Sequence, residues 1–152
     1  MDRPSEVDIP ERHHALLRQE PLGMLTTIRE DGLLSTNPVG FTFAGGKIQI
    51  STLKSRFKYR NILHDPRIAF CVISSSEQMY YVEIRGHATL ADDSDRSYFR
   101  WQFLELSGQA PPDDLDPPSE ERAVITLHPV SVSAPTLYGG RFHTTGNERP
   151  PA

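Results

Sequence analysis

Residues 50–67 read Ile50-Ser-Thr-Leu-Lys-Ser-Arg-Phe-Lys-Tyr-Arg-Asn-Ile-Leu-His-Asp-Pro-Arg67. The stretch begins as an apolar, β-prone run that ends at Ser51 and Thr52. It then sets Lys54, Ser55, Arg56, Lys58 and Arg60 within seven residues. Helical spacing follows until Asp65-Pro66 stops it. A strand that feeds a helix start bearing a hydroxyl and fixed positive charge is built to hold an anion. The free N–H groups of the first helical turn and the positive end of the helix dipole point where those side chains point. The plain alternative is a solvated basic helix face, which is what most charge runs are. The chain as a whole carries a formal net charge of −4, so this basicity is local.

Working outward, Pro10 and Glu11 open a short helix through about Gln19, and Glu20-Pro21 ends it. Leu22–Ile28 reads as a strand, Arg29-Glu-Asp-Gly32 as a hairpin turn, and Leu33–Phe43 as a second strand. Pro38 bulges that strand or confines it to an edge. Ala44-Gly-Gly-Lys47 is another tight turn, and Ile48–Thr52 completes a three-stranded meander. The helix Ser55–His64 carries Phe57, Ile62 and Leu63 on one side. Arg67–Ser74 and Met79–Leu90 are strands, the second bent at Arg85-Gly86. Asp92 or Asp93 can cap a helix running to about Leu106, with Tyr98, Phe99, Trp101, Phe103 and Leu104 as its apolar residues. A loop rich in Pro and Asp fills 107–119, and Glu121–Val132 reads as the last strand.

About six strands joined by short turns, with helices between some of them, predict a mainly β (α+β) fold. It is a small, mostly antiparallel barrel with peripheral helices. The two- to four-residue turns exclude a doubly wound parallel sheet. The expected organisation is a flexible arm over residues 1–10, one barrel domain over 11–132 and a C-terminal extension over 133–152.

The totals exclude several function classes. A length of 152 residues fits one domain with a real core. The single cysteine, Cys71, precludes an intrachain disulfide and sits in the apolar run Ile68–Ile73 as a small buried hydrophobe. A sequence pI near 5.8 argues against nucleic-acid binding. The N-terminal residues lack a secretory pattern, and no apolar run approaches the ~20 residues of a membrane span, so the expected compartment is the cytoplasm. The six histidines show no metal-binding pattern. His13 and His14 are adjacent and cannot share a helix face, His128 before Pro129 reads as structural, and no metal site is expected.

The order of these parts resembles the pyridoxamine 5′-phosphate oxidase-like split β-barrel superfamily of flavin- and deazaflavin-dependent oxidoreductases. The resemblance rests on Met24-Leu-Thr-Thr-Ile28, on Glu30-Asp-Gly32 leading into Ser35–Phe43, on Ser51–Arg67 and on Val82–Leu90. It is greatest to the group that binds the deazaflavin coenzyme F420. It implies that Ser55, Arg56 and Lys58 are phosphate ligands and that Ser51 and Thr52 approach the ring system by backbone and hydroxyl. Asn37 and Pro38 would line the ring face. Family members are typically homodimers with cofactor sites at the subunit interface. A true pyridoxamine phosphate oxidase has a C-terminal Arg-Leu-x-Pro type ending. This chain has Tyr138-Gly-Gly-Arg-Phe-His-Thr-Thr-Gly-Asn instead, which argues against vitamin B6 oxidation.

The implied activity is hydride transfer from the reduced deazaflavin to a small unsaturated or conjugated acceptor. Hydride transfer is the coenzyme's chemistry, and the protein supplies binding, orientation and water exclusion. Tyr80 or Tyr81 can supply a proton, although interfacial packing with wet hydroxyls is an equal reading of that pair. Lys54 and Arg60 add cations beyond what one phosphate requires, which tilts the cofactor toward a polyanionic deazaflavin over FMN. The alternatives kept open are an FMN-dependent oxidoreductase and a non-enzymatic cofactor- or haem-binding protein of the same fold.

Overall fold

Alternation decides the first strand. In Leu22–Ile28 (β1) the residues Gly23, Leu25 and Thr27 turn inward while Leu22 and Met24 face out. Asp31 and Gly32 reverse the chain, with Gly32 at φ 84° and the Arg29 N–H donating to the Leu33 carbonyl at 2.8 Å. Leu34–Gly40 (β2) then pairs antiparallel with β1, Leu25 facing Asn37 and Met24 facing Pro38. Across the sheet follow Thr42–Ala44 (β3), Lys47–Leu53 (β4), Arg67–Ile73 (β5), Tyr81–Asp92 (β6) and Arg122–Ser133 (β7). Three helices accompany them: His14–Gln19 (α1), preceded by a 3-10 turn at Glu11–His13, then Phe57–His64 (α2) and Ser97–Ser107 (α3). This computed structural model describes residues 4–77 and 79–135. None of its helices is long and apolar enough to cross a membrane.

The seven strands form one antiparallel sheet in the order β2-β1-β5-β6-β7-β4-β3. Consecutive strands β2 and β3 therefore lie at opposite edges, so the sheet curls into a split β-barrel. Two expectations change here. The run 33–43 is two strands rather than one, which makes seven where about six were expected. The three-stranded meander is also divided: the β1–β2 and β3–β4 hairpins form, but at opposite edges of the sheet, and the other neighbour of β4 is β7. Pro38 does sit on an edge strand, where its missing N–H leaves no ladder bond unmade.

The barrel interior is filled by Leu25, Phe41, Ile48, Ile50, Phe70, Val72, Val82, Ile84 and Ile125, all essentially inaccessible. Phe41 and Phe70 meet edge to face at 5.1 Å and 81°. Ile62 of α2 joins this core, whereas Phe57 and Leu63, expected on the same apolar side, are exposed at 67% and 64%. The described part of the N-terminal segment meets the barrel at Val7 and Ile9. The Val7 N–H donates to the Pro129 carbonyl at 2.9 Å, and Ile9 is buried in the core. Residues 1–3 and 136–152, including the Tyr138–Asn147 stretch of the expected extension, lie outside the described residues.

The expected bend at Arg85-Gly86 faces a bulge whose extra residue, Val130, belongs to β7. The β6–β7 register shifts between Arg85 and Gly86, so Arg85 faces Ser131 and Gly86 faces Pro129. A Cβ on Gly86 would overlap the carbonyl oxygen of His128. That oxygen belongs to backbone fixed by the ladder and cannot swing aside. Gly86→Ala should therefore lower stability by about 1–3 kcal/mol, the range for overpacking a tight interior. Urea unfolding reads this, and an unchanged midpoint would mean that the bulge relaxes without cost.

Candidate functional site

The β4–α2 junction carries the predicted anion-binding residues. After Leu53 the chain turns through Lys54, Ser55 and Arg56, with the Arg56 N–H donating to the Leu53 carbonyl at 3.0 Å. The helix begins at Phe57, two residues later than expected, with Arg56 as its N-cap and no side chain accepting from its first N–H groups. The contrast with α3 is direct. There Asp93 accepts from the N–H groups of Tyr98 at 3.2 Å and Phe99 at 2.9 Å, and Asp95 accepts from Ser97 at 3.0 Å. One helix start is filled by carboxylates. The other is open and flanked by Arg56 and Lys58.

The cations at this junction differ in how they are engaged. Lys54 Nζ lies 2.8 Å from Asp92 and 3.1 Å from Glu121, and these hydrogen bonds raise its pKa. Its charge is neutralised within the chain. Arg60 donates to the Ser55 carbonyl at 3.2 Å and stands 5.6 Å over the Phe57 ring. Neither Arg56 nor Lys58 forms an ion pair among the described residues. Burial, and then the charge of Arg56, push the Lys58 pKa down. A half-buried ammonium without a counter-ion is unfavourable in the free protein and is relieved by an anion.

The remaining sequence candidates are distributed differently. The Ser51 N–H donates to Gln102 Oε1 at 3.3 Å, and its hydroxyl accepts from Arg122 at 3.3 Å. Thr52 is buried, and its hydroxyl donates to the Leu53 carbonyl at 3.4 Å. Both therefore have partners inside the chain. Asn37 faces inward from edge strand β2, and its Oδ1 is buried without a hydrogen-bond partner among the described residues. Such an orphaned acceptor costs stability unless a ligand supplies a donor. Pro38 is exposed beside it. Tyr80 bonds His13 Nδ1 through its hydroxyl at 2.8 Å, and burial raises its pKa, keeping it a protonated phenol. Tyr81 opens β6, whose other end is Asp92, the partner of Lys54. That 12-residue strand spans roughly 36 Å at about 3.3 Å per residue. Within one chain the tyrosines and the basic junction sit at opposite ends of β6.

Sequence reading missed the polar network behind the junction. Asp116, in the Pro- and Asp-rich loop, is buried and accepts from Arg122 at 2.8 Å through both oxygens and from Arg96 at 3.0 Å. Arg122 also lies 3.6 Å over the Phe99 ring. The Arg122 hydrogen bonds, followed by the nearby positive charges of Arg122, Arg96 and Arg56, lower the Asp116 pKa against the opposing effect of burial. The network ties the 107–119 loop to β7 and to Ser51. Its only sequence signal was an Asp within a segment that otherwise reads as a linker.

An uncompensated Lys58, an open helix start and an orphaned Asn37 acceptor fit a bound group with anionic and donor atoms. Comparison with known proteins bears on which. A family profile described as pyridoxamine 5′-phosphate oxidase matches residues 9–134. Among solved structures, an F420 reductase superposes with a TM-score of 0.71 at 27% identity, covering 82% of this chain and 98% of its own. A putative pyridoxamine 5′-phosphate oxidase from Listeria innocua superposes at 0.64 with 21% identity, covering 82% and 95%. A heme binding protein from Mycobacterium smegmatis superposes at 0.63 with 20% identity, covering 88% of this chain and 57% of its own. The last two share the fold. A search of the curated proteins gives no match.

The Asp116 network sets an acid limit. Its folded pKa lies below the unfolded carboxylate value near 3.9, so its stabilisation is full above that value. It is lost as pH falls through the folded pKa. Asp116→Ala should cost about 3–5 kcal/mol at neutral pH, since it strands two buried or half-buried guanidinium groups. The variant should also lose less further stability than wild type between about pH 5 and pH 2. Urea midpoints measured across that range check both, and parallel pH profiles would remove Asp116 as the source.

Proposed function

The chain belongs to the pyridoxamine 5′-phosphate oxidase family, and we propose that it is a deazaflavin-dependent oxidoreductase that holds the anionic part of coenzyme F420 at the β4–α2 junction. The observation that carries this reading is Lys58: a half-buried cation beside Arg56, at an uncapped helix start, with no carboxylate partner among the described residues. The 27% identity to an F420 reductase over nearly the whole of that protein supports the choice of coenzyme. When bound, the coenzyme supplies a two-electron hydride carrier. The chain's own residues do the rest. Ser55, Arg56, Lys58 and the first N–H groups of α2 would hold the anion, and Asn37 Oδ1 would accept a hydrogen bond from the ring system.

A second reading, FMN in the same place, is favoured by one observation. Lys54 is already neutralised by Asp92 and Glu121, which reduces the surplus positive charge that distinguishes a polyanionic ligand from a single phosphate. The reading as an enzyme also includes a homodimer. The outer faces of β1, β2 and β5 present Leu22, Met24, Leu34, Pro38 and Ile73, an exposed apolar sheet surface suited to a second copy. Tyr80 and Tyr81, remote from the junction of their own chain, would then approach a site from the partner.

Titration of the purified protein with F420 and with FMN separates the readings, and binding of neither removes the junction as a cofactor site. Lys58→Met should weaken coenzyme binding by about 1.5–3 kcal/mol, the loss of one charge-assisted hydrogen bond. It should leave the free protein's Tm equal or higher, because it also removes a half-buried charge that has no counter-ion among the described residues. Wild-type affinity should fall as pH rises through the lowered Lys58 pKa, earlier than for an ordinary lysine. Fluorescence titrations at several pH values read both effects. Unchanged affinity in the variant would exclude Lys58 from the site.

A further inference from the structure

Three potential metal ligands meet far from the basic junction. His87 of β6 and His128 of β7 are directly opposite each other across the antiparallel pair. Their rings stack at 4.9 Å with an interplanar angle of 10°. Glu6, from the N-terminal segment, places a carboxylate oxygen 2.9 Å from His128 Nδ1. One ligand atom from each residue lies within 4.8 Å of the other two. The geometry points to a divalent transition-metal site, formed by Glu6, His87 and His128, that clips the N-terminal segment onto the β6–β7 ladder.

The chemistry of the donor set selects the ion. Two imidazoles and one carboxylate suit Zn²⁺, Co²⁺ or Ni²⁺, whereas Mg²⁺ and Ca²⁺ prefer all-oxygen sites. Metal–ligand bonds of about 2.0–2.1 Å place tetrahedral ligands roughly 3.3 Å apart. The Glu6–His128 pair is already that close, and the His87 ring, now stacked parallel to His128, turns out of the stack to aim an in-plane nitrogen at the same ion. The outer support is in place as well. His128 Nε2 bonds the Thr89 hydroxyl at 2.8 Å, which orients the ring with Nδ1 toward Glu6. A hydroxyl donates or accepts, so Thr89 follows His128 into the tautomer that frees Nδ1 for the metal. The backbone is prepared too. Val7, next to Glu6, bonds the Pro129 carbonyl, next to His128. Glu6 is exposed, leaving the ion a path from solvent and a fourth position for water.

The site does not depend on the proposed coenzyme, and its test needs none. Titrating the full chain with Co²⁺ should give one ion per chain with the ligand-field bands of a four- or five-coordinate N/O site, displaced by Zn²⁺. Glu6→Gln, His87→Gln and His128→Gln should each weaken Zn²⁺ binding at least tenfold in equilibrium dialysis. Thr89→Val should weaken it about 10- to 100-fold through the lost orienting bond. Zn²⁺ should raise the wild-type Tm and slow amide exchange at residues 6–9, and do neither in Glu6→Gln. Glu6 is on the surface, so that variant folds even if the histidine variants do not. Failure of the wild type to bind Co²⁺ or Zn²⁺ at sub-millimolar concentration overturns the proposal. So does Glu6→Gln binding as tightly as wild type with the same spectrum.

Discussion

The fold depends on how the chain passes from β2 to β3. Phe41 alone separates the end of β2 from the start of β3, yet these strands are the two edges of a seven-stranded sheet. One residue can join opposite edges only if the sheet curls until they approach. Phe41 stabilises that curl by turning its ring into the interior against Phe70. Phe70 in turn lies over Gly23, where any Cβ would overlap its ring. Gln102 then bridges the seam. Its Oε1 accepts from Ser51 of β4 at 3.3 Å, and its Nε2 donates to the Gly40 carbonyl of β2 at 3.4 Å. A buried carboxamide with one donor and one acceptor engaged on opposite lips suits a barrel that remains split, because it satisfies edge groups that no ladder reaches.

The same closure explains why the basic junction is where it is. The ends of β4 and β6 and the start of β7 converge at one mouth of the barrel, and α2 leaves from there to cross toward β1. Carboxylates at this mouth are already committed: Asp92 and Glu121 to Lys54, Asp116 to Arg96 and Arg122, Asp93 to the start of α3. Arg56 and Lys58 are left over in a chain with twenty acidic and sixteen basic side chains. An acidic protein that leaves these two cations without counter-ions among the described residues maintains a field that its own surface chemistry would otherwise cancel.

Local signals were legible in the sequence and long-range ones were not. The Asp31-Gly32 hairpin, the bend at Arg85-Gly86, the Asp93 cap and the edge character of Pro38 all follow from turn and strand chemistry within a few residues. The run 33–43 reads as one strand because no Asp-Gly or Gly-Gly turn interrupts it. Nothing local marks Phe41 as the place where the chain changes edges. The exposure of Phe57 and Leu63 escaped for a related reason, since a helical apolar stripe does not say whether its partner lies in the same chain. Family resemblance supplied the split barrel, but it could not reveal that Lys54 has two carboxylates within reach. Asp92 and Glu121 are distant in sequence and meet it only through the β4–β7–β6 ladder. Glu6, His87 and His128 were invisible as a set for the same reason.

What distinguishes a binding group from a structural one here is whether the folded chain satisfies it. Ser51, Thr52 and Lys54 stand beside Asn37 and Lys58 as candidates in the sequence, but the fold gives the first three partners. Among the described residues Asn37 keeps a buried acceptor unmatched, and Lys58 keeps a charge whose burial lowers its pKa. Each such defect raises the free energy of the free protein, by about 1–3 kcal/mol for an unmatched polar group. A packed interior tolerates few of them. Asn37 on β2 and Lys58 on α2 are therefore more economically read as halves of contacts completed by a ligand than as accidents.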